Sequence, residues 1–290
     1  MKRFDYLAPT GLSEAVELLK ENPGITPLAG GTDLLVQIKE RHRPVLAVLS
    51  LKRVQEVHES ENNGLLTIGS AVTVGQVARD LEIQRKFTAL AVGAGLIGSV
   101  QIQNMATVGG NICNASPSAD TAPPLLALDA QVVIISAQGE RTLPLSDFFL
   151  GPGKTVLQPT DLLKAIQLPH LKPHSGSYYY RHTPRARMDI AVVGVGAMLT
   201  LDEAGQVAQA RLALGAVAPT PIRAYRAESE LIGETPSEEL FNHAALVAMQ
   251  EAAPIDDLRA SADFRRHLIK VFTIRALRQA LMCAKENHGI

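Results

Sequence analysis

Two short stretches of this sequence combine adjacent glycines with side chains that form hydrogen bonds. The first is LAGGTD at residues 28–33, and the second is TVGGN at residues 107–111. Adjacent glycines let a backbone approach a ligand closely and adopt positive φ angles. Successive backbone N–H groups can then form a nest that binds an anion. One such stretch is usually a tight turn, but two suit the two ends of a long, doubly phosphorylated molecule, so the pair predicts a dinucleotide site.

Each stretch supplies its own set of predicted donors. The first set follows a predicted strand and comprises Gly30, Gly31 and Thr32. The second set comprises Thr107, Gly109, Gly110 and Asn111. The hydroxyl and amide side chains in the second set can hydrogen-bond to phosphate or to ribityl hydroxyls. Further along the chain, Asp120 can accept a hydrogen bond from a sugar hydroxyl.

A literal G-x-G-x-x-G pattern at Gly93, Gly95 and Gly98 competes with this interpretation, since Asp120 follows at the distance of a Rossmann acid. That fingerprint belongs between a buried strand and a long helix. Here the preceding apolar residues recur at helical spacing, and TVGGN follows too soon for a helix of normal length. The pattern therefore favours a helix end with a glycine-rich turn.

Three other patterns resemble functional motifs only in part. GPGKT at 151–155 looks like the end of a P-loop, but Phe148 stands where the first glycine belongs, which favours a surface turn. His170 and His174 have the spacing of a metal pair on a helix, but intervening prolines favour a loop. Cys113 has no neighbouring base, so we interpret it as a small wall residue.

The last predicted helix is rich in basic residues. They are Arg265, Arg266, Lys270, Arg275, Arg278 and Lys285. A solvated polar face is the simplest interpretation. Docking to an acidic partner surface is the alternative.

Composition limits the class of protein. With 290 residues, 46% hydrophobic and 20% charged, the chain is globular and long enough for two or three packed units. A net charge of −1 gives no reason to expect nucleic acid. No apolar run is long enough for a membrane span. The two cysteines are too few for an iron–sulfur cluster within the chain, and we expect a reduced, cytoplasmic compartment.

Strand patterns alternate with helical ones along the chain. Strands are predicted at 25–30, 45–50, 65–70 and 131–136, and helices at 13–21, from Thr73 onward and at 261–286. Residues 188–202 and 206–217 read as a long antiparallel hairpin. Strands followed by helices in each half indicate an α+β fold. A segment rich in Pro and Gly places the domain boundary near residue 175.

The chain resembles the flavoprotein subunits of the molybdenum hydroxylases, a group that includes xanthine, carbon monoxide and nicotinate dehydrogenases. The resemblance rests on LAGGTDLL, GSVQIQNMATVGG and ATVGGNICNASPSADTAPPLLAL. It continues through RMDIAVVGVGAML, LALGAVAPTPIRA and DFRRHLIKVFTIRAL. These motifs occur in the family's order and cover nearly the whole chain. The bacterial xanthine dehydrogenase FAD subunits and the carbon monoxide dehydrogenase flavoprotein look most similar.

This resemblance implies an FAD-binding fold of the p-cresol methylhydroxylase type, made of two α+β subdomains. They would span about 1–58 and 59–175, followed by a C-terminal α+β domain of the carbon monoxide dehydrogenase flavoprotein type at 176–290. The implied FAD-binding residues are Pro27, Leu28, Ala29, Gly30, Gly31, Thr32, Asp33, Leu34, Ile97, Thr107, Val108, Gly109, Gly110, Asn111, Asp120, Leu163 and Arg181. Arg181 would stabilise negative charge on the reduced flavin.

The resemblance also implies partners and electron flow. Substrate would be hydroxylated at a molybdopterin cofactor on a large subunit, and electrons would pass through [2Fe–2S] clusters on a small subunit. The FAD of this chain would receive them and pass them on, with NAD⁺ as the expected acceptor. A heterotrimer that pairs into a dimer is implied, and the chain needs no catalytic acid or base of its own. The same role in a carbon monoxide or nicotinate dehydrogenase, or a scaffold without flavin, is the alternative.

Overall fold

A computed structural model of the protein describes residues 3–40, 44–185 and 188–287. The chain begins with a small parallel sheet of order β1-β3-β2. Its strands are β1 (Asp5–Leu7), β2 (Ile25–Leu28) and β3 (Ala47–Ser50), and its helices are α1 (Leu12–Glu21) and α2 (Leu34–Lys39). One face of α1 is apolar and packs Ala15 and Leu19, both fully buried, against the sheet. The first glycine-rich stretch is the connection from β2 into α2.

The second sheet is antiparallel, with strand order β4-β5-β10-β6-β7. Its strands are β4 (Ser60–Asn62), β5 (Leu65–Gly69), β6 (Gln131–Ser136), β7 (Gly139–Pro144) and β10 (Leu162–Pro169). The hairpin of β8 (Phe149–Gly151) and β9 (Lys154–Thr155) lies between β7 and β10. β10 is the central strand, and its Leu163, Ile166 and Leu168 are buried in the largest hydrophobic core.

Six short helices connect β5 to β6. They are α3 (Val74–Arg79), α4 (Leu81–Lys86), α5 (Thr88–Gly95), α6 (Val100–Gln103), α7 (Val108–Cys113) and α8 (Ala122–Ala127). The predicted capping box starts α3, because the Thr73 hydroxyl accepts from the Gln76 N–H and the Gln76 side chain accepts from the Thr73 N–H. The second glycine-rich stretch begins α7, directly beside the end of β5.

The third sheet is antiparallel, with order β11-β12-β13-β14. It comprises β11 (Ser175–His182), β12 (Val193–Leu201), β13 (Val207–Gly215) and β14 (Ile222–Arg223), followed by α9 (Tyr225–Ser229), α10 (Glu238–Glu251) and α11 (Ala262–Glu286). The predicted hairpin is confirmed as β12 and β13. The long helix α11 buries Ile269, Ala276 and Leu277 in a separate hydrophobic core. The α+β prediction is thereby confirmed.

The structure also shows where each of the ambiguous sequence motifs lies in the fold. Gly93 and Gly95 lie inside and at the end of α5, and Gly98 turns the chain with a φ of 52°, so the helix-end interpretation is confirmed. GPGKT forms the β8–β9 hairpin. His170 and His174 lie in the connection from β10 to β11, outside any helix. Along the described ranges, no helix is both long and apolar enough to cross a bilayer, and no cluster of metal-binding side chains forms.

The prediction of a solvated basic face on α11 is wrong for Arg265. Its side chain is only 4% exposed and forms an ion pair with Asp257 at 2.8 Å. Its Nη1 also donates to the carbonyl oxygens of Val192 and Ala216. The helical pattern could not show this, because Asp257 lies before the helix and Val192 and Ala216 come from distant parts of the chain.

Candidate functional site

A cleft of about 1200 Å³ runs between the first sheet, the helices that follow β5, and the β8–β9 hairpin. Nearly all of the predicted cofactor residues line it. These are Pro27, Leu28, Ala29, Gly30, Gly31, Thr32, Asp33, Leu34, Ile97, Thr107, Gly109, Gly110, Asn111, Asp120 and Leu163. The other two lie behind the wall: Val108 is fully buried in the core, and Arg181 forms an ion pair with Asp120. The cleft thus brings together residues separated by more than a hundred positions in the sequence.

The first glycine-rich loop has the predicted donor arrangement. Its backbone N–H groups from Gly30 to Leu34 have no hydrogen-bond partner in the described chain. Gly31 has a φ of 72°, in the region that glycine tolerates best. Hydrogen bonds of the helical type start only with the Leu35 N–H, which donates to the Gly31 carbonyl at 3.0 Å. Five successive open donors on the wall of a cleft form a site suited to an anion.

The second loop does not have the predicted set of open donors. The N–H groups of Val108 and Gly109 donate to the carbonyls of Val72 and Ser70, each at 3.0 Å. Those of Gly110 and Asn111 donate to the Thr107 side chain and carbonyl at 3.0 and 2.9 Å. The reason is that α7 begins here against the end of β5, so its first turn is already satisfied. The donors of this loop that remain available to a ligand are the Thr107 N–H and the side-chain amide group of Asn111.

The glycines of both loops serve close packing between segments. A Cβ on Gly30 would overlap the carbonyl oxygen of Met105. A Cβ on Gly109 would lie 2.5 Å from the Cβ of Ser70. Both positions therefore need glycine so that backbone segments can touch. From the sequence, this close approach was expected to serve a ligand, but in the structure much of it is contact between the loop segments themselves.

A buried threonine orients the Asn111 side chain. The Thr121 hydroxyl, which is fully buried, donates to Asn111 Oδ1 at 2.6 Å. With the oxygen engaged there, Nδ2 is the part of the amide that remains for a ligand in the cleft. Asn111 thus presents a donor to the cleft.

Asp120 lies on the cleft wall and is held from the third sheet. Its Oδ1 accepts from the Tyr179 hydroxyl at 2.8 Å, and its Oδ2 forms an ion pair with Arg181. Burial raises the pKa of the Asp120 carboxyl above its usual value, while the charge of Arg181 and the hydrogen bond from Tyr179 oppose that rise. The carboxylate keeps lone pairs for a further donor.

Several lining residues were not predicted. They include Ser70, Ser116, Ser118, Lys154, Asp161, Met188 and Ile190. The Ser70 Oγ is buried and has no partner within the described residues. Ser116 and Ser118 lie in the polar stretch NASPSAD, which is part of a motif quoted above. No role was predicted for either serine. No spacing signal marks Ser70, because it reaches the cleft through tertiary contact. Lys154 belongs to the GPGKT pattern, which the sequence led us to interpret as a surface turn.

Cys113 lines the cleft as a wall residue. Burial raises the pKa of its thiol to about 12. A thiol with such a pKa is protonated at neutral pH and is a poor nucleophile. The sequence-based interpretation of Cys113 as a small wall residue agrees with this environment.

Comparison with known proteins places this architecture in a family. Residues 2–171 match the family model of the FAD-binding domain in molybdopterin dehydrogenases. Residues 178–280 match that of the C-terminal domain of carbon monoxide dehydrogenase flavoproteins. The chain belongs to the FAD-binding subunits of the molybdenum hydroxylases. It is therefore an oxidoreductase subunit, as the sequence motifs predicted.

Several of these FAD-binding subunits match this chain over nearly their whole length. The putative xanthine dehydrogenase FAD-binding subunit of Escherichia coli is 38% identical over 283 residues, or 96% of each chain. The carbon monoxide dehydrogenase medium chain of Hydrogenophaga pseudoflava is 31% identical and covers 96% of this chain and 97% of its own. A solved structure of carbon monoxide dehydrogenase from that organism has a TM-score of 0.92 at 30% identity, covering 97% of this chain and 98% of its own.

The residues of the cleft fit the cofactor of this family. FAD carries a pyrophosphate, a polyol chain and a flat ring system, which need anion donors, hydroxyl partners and apolar walls. The open N–H groups of Gly30–Leu34 supply the donors. The unpaired Ser70 hydroxyl and the lone pairs of Asp120 suit hydroxyl groups. Ile97 and Leu163 contribute apolar wall. Each part of the cofactor therefore has matching chemistry in one continuous cleft.

Proposed function

We propose that the chain binds one FAD in this cleft with its pyrophosphate against the loop from Gly30 to Leu34. The observation that carries the proposal is a run of five backbone N–H groups, from Gly30 to Leu34, that have no partner in the described chain and belong to residues lining the cleft. Gly30, Gly31, Thr32 and Leu34 are half-buried, and Asp33 is exposed. An anionic ligand in the cleft can accept from several such N–H groups at once. Among the described lining residues, Lys154 is the only cationic side chain, so backbone donors carry most of the anion recognition.

The remaining predicted residues have distinct proposed roles. Pro27, Leu28 and Ala29 form the wall that leads into the donor loop. Thr107 and Asn111 bind a phosphate or ribityl oxygen. Val108 and Gly109 hold α7 against the end of β5, and the N–H of Gly110 is capped by Thr107. Asp120 accepts from a cofactor hydroxyl, Arg181 holds the Asp120 carboxyl by an ion pair, and Ile97 and Leu163 pack against the cofactor. We assign residues 1–175 to the cofactor domain, with subdomains at about 1–58 and 59–175, and 176–290 to the C-terminal domain.

We further propose that the chain works within a complex of the xanthine dehydrogenase type. Electrons from a molybdopterin centre on a large subunit and [2Fe–2S] clusters on a small subunit pass through the FAD held here to NAD⁺. The support is the 38% identity to the E. coli xanthine dehydrogenase subunit over 96% of each chain. A heterotrimer that pairs into a dimer is the proposed assembly. This chain's own residues bind and orient the cofactor.

Two measurements test the proposal. The chain, purified alone and in its co-purified complex, is heated to release bound flavin, which is identified by chromatography and visible absorbance. We expect FAD at close to one per chain. Substrate-reduced complex should then be reoxidised by NAD⁺, seen as NADH absorbance.

A colourless chain that takes up no FAD, alone or in its complex, contradicts the cofactor proposal and supports the scaffold alternative. FAD binding without NADH formation contradicts NAD⁺ as the acceptor and leaves the cofactor site intact. Reduction by carbon monoxide or nicotinate rather than a purine would assign the complex to the alternative branches.

A further inference from the structure

The cleft wall contains a carboxylate whose position is set from the third sheet. Asp120 is separated by 59 and 61 positions from Tyr179 and Arg181, the two side chains that hold it. Both partners lie on β11, which belongs to the sheet behind the cleft. The Asp120 carboxylate thus links the third sheet to the proposed cofactor site.

Tyr179 is placed for this contact by the strand beside it. Its side chain is 2% exposed, and a Cβ on Gly194 of β12 would overlap the tyrosine hydroxyl. Glycine at position 194 therefore makes room for the ring. Burial raises the pKa of the Tyr179 hydroxyl well above its usual value, and the charge of Asp120 adds to this effect, so the hydroxyl stays protonated and donates.

Arg181 is left with an unused donor at the same place. Its side chain is 4% exposed, its Nη1 contacts Asp120, and its Nη2 is buried with no partner in the described residues. A buried guanidinium donor without a partner costs free energy. A ligand hydroxyl can donate to the free lone pairs of Asp120, which lines the cleft, whereas Arg181 does not line it. The cluster therefore suits a polyol rather than a phosphate, because the carboxylate would repel an anion.

We propose that Tyr179 is a positioning residue for FAD, whose hydroxyl fixes the Asp120 carboxylate so that it accepts a hydrogen bond from the polyol chain of the cofactor. This inference rests on the proposed FAD site. Tyr179 lies outside the cleft lining and acts only through Asp120. Strand β11 of the third sheet then contributes indirectly to cofactor binding, through Asp120.

The surroundings of Asp120 predict how binding depends on pH. Tyr179 and Arg181 are the titratable groups that face its carboxylate within the described chain. α5 packs against its backbone with Gly93, and β12 contributes Gly194 beside Tyr179, neither of which titrates. FAD affinity should fall as the pH decreases and Asp120 becomes protonated. Loss of the Tyr179 hydroxyl removes a group that lowers the Asp120 pKa. In that variant, the decrease in FAD affinity should therefore begin at a higher pH.

The test measures FAD affinity of the full deflavinated chain from pH 5 to pH 9 by quenching of flavin fluorescence. We expect Tyr179→Phe to weaken binding about tenfold, the usual effect of losing a hydrogen bond to a charged group, and to shift the acid limb to higher pH. Tyr180→Phe is the matched control, because its half-buried ring packs against Phe272 on the other side of the strand. Thermal unfolding of the apo forms checks that each variant folds.

A double-mutant cycle separates positioning from general packing. In the Asp120→Asn background, Tyr179→Phe should cause no further loss and no pH shift. Wild-type affinity and pH dependence in Tyr179→Phe, or an equal loss with and without Asp120, overturn the inference while the FAD site stands. A wild-type chain that binds no FAD overturns the proposed function and this inference together.

Discussion

Asn111 illustrates how much of the cleft depends on single side chains held by distant partners. Its Oδ1 accepts from Thr121, which leaves Nδ2 as the available donor. The loop N–H groups around it are engaged in starting α7, so this amide and the Thr107 N–H are the open donors of the second loop in the described chain. Loss of the amide donor should therefore directly weaken the binding of a phosphate group.

We expect Asn111→Asp to weaken FAD binding by at least about tenfold. The substitution keeps an acceptor for Thr121 but places a negative charge beside an anionic ligand. Asn63→Asp, in an exposed turn before β5, makes the same change of charge elsewhere. The measurement is FAD affinity by fluorescence quenching. Equal affinity in the wild type and Asn111→Asp would contradict the assignment of Asn111 to the site.

Arg265 and Arg266 are neighbours on α11 with opposite surroundings. Arg265 is buried and joins the carbonyls of Val192 and Ala216 to the carboxylate of Asp257. Arg266 is largely exposed and pairs with the solvent-facing Asp263 at 3.0 Å. Only the first should matter for stability, because exposed pairs contribute little.

We expect Arg265→Ala to lower the free energy of unfolding by about 3 kcal/mol, since it leaves buried polar groups without partners. Arg266→Ala should change it by less than about 0.5 kcal/mol. Urea unfolding of both variants measures the difference. Equal losses would show that the buried contacts of Arg265 do not contribute beyond those of a surface arginine.

At the scale of elements, the cleft depends on two loops that touch. Gly30, after β2, faces the carbonyl of Met105, just before the segment that leads into α7. The contact is between backbone atoms, which cannot move aside as a flexible side chain can. The separation of the two loops, and hence the width of the cleft, is set at this point.

We expect Gly30→Ala to cost about 3 kcal/mol of stability, the upper range for overpacking, and to lower the FAD content of the purified chain. Gly24→Ala is the control, because Gly24 also lines the cleft but a Cβ there would meet nothing within 4 Å. Thermal unfolding and flavin content measure both effects. A Gly30→Ala chain that binds FAD and unfolds like Gly24→Ala would disprove the need for loop contact.

At the scale of the whole molecule, the third sheet packs directly against the cofactor half. A Cβ on Gly196 of β12 would lie 2.8 Å from the carbonyl oxygen of Pro123 in α8. Thr121, which orients Asn111, immediately precedes α8. The position of the third sheet is therefore linked to the cleft through α8 as well as through Asp120.

We expect Gly196→Ala to lower stability by about 1–3 kcal/mol and to weaken FAD binding, because it pushes α8 away from β12. Gly151→Ala, in β8, has open space for a Cβ within 4 Å and should change neither quantity. Thermal unfolding of the apo chain and FAD titration provide the measurements. Loss of stability with unchanged FAD affinity would argue against the link through α8.

Much of the fold could be predicted from local patterns. The capping box at Thr73 and Gln76, the hairpin of β12 and β13, and the helix end at Gly95 each follow from residues close together in sequence. The two glycine-rich stretches were also recognisable as parts of one site, and the cleft brings them together. Patterns of this kind are readable because hydrogen-bond geometry and burial repeat over a few residues.

The sequence by itself determined the α+β architecture, the family and the prediction of a donor loop at Gly30, Gly31 and Thr32. Only the tertiary structure decided which donors of the second loop are already engaged, what holds Asp120, and why Arg265 is buried. These features depend on contacts between residues separated by tens of positions. No local period or spacing encodes such a contact, because its energy exists only once the distant segments have packed against each other.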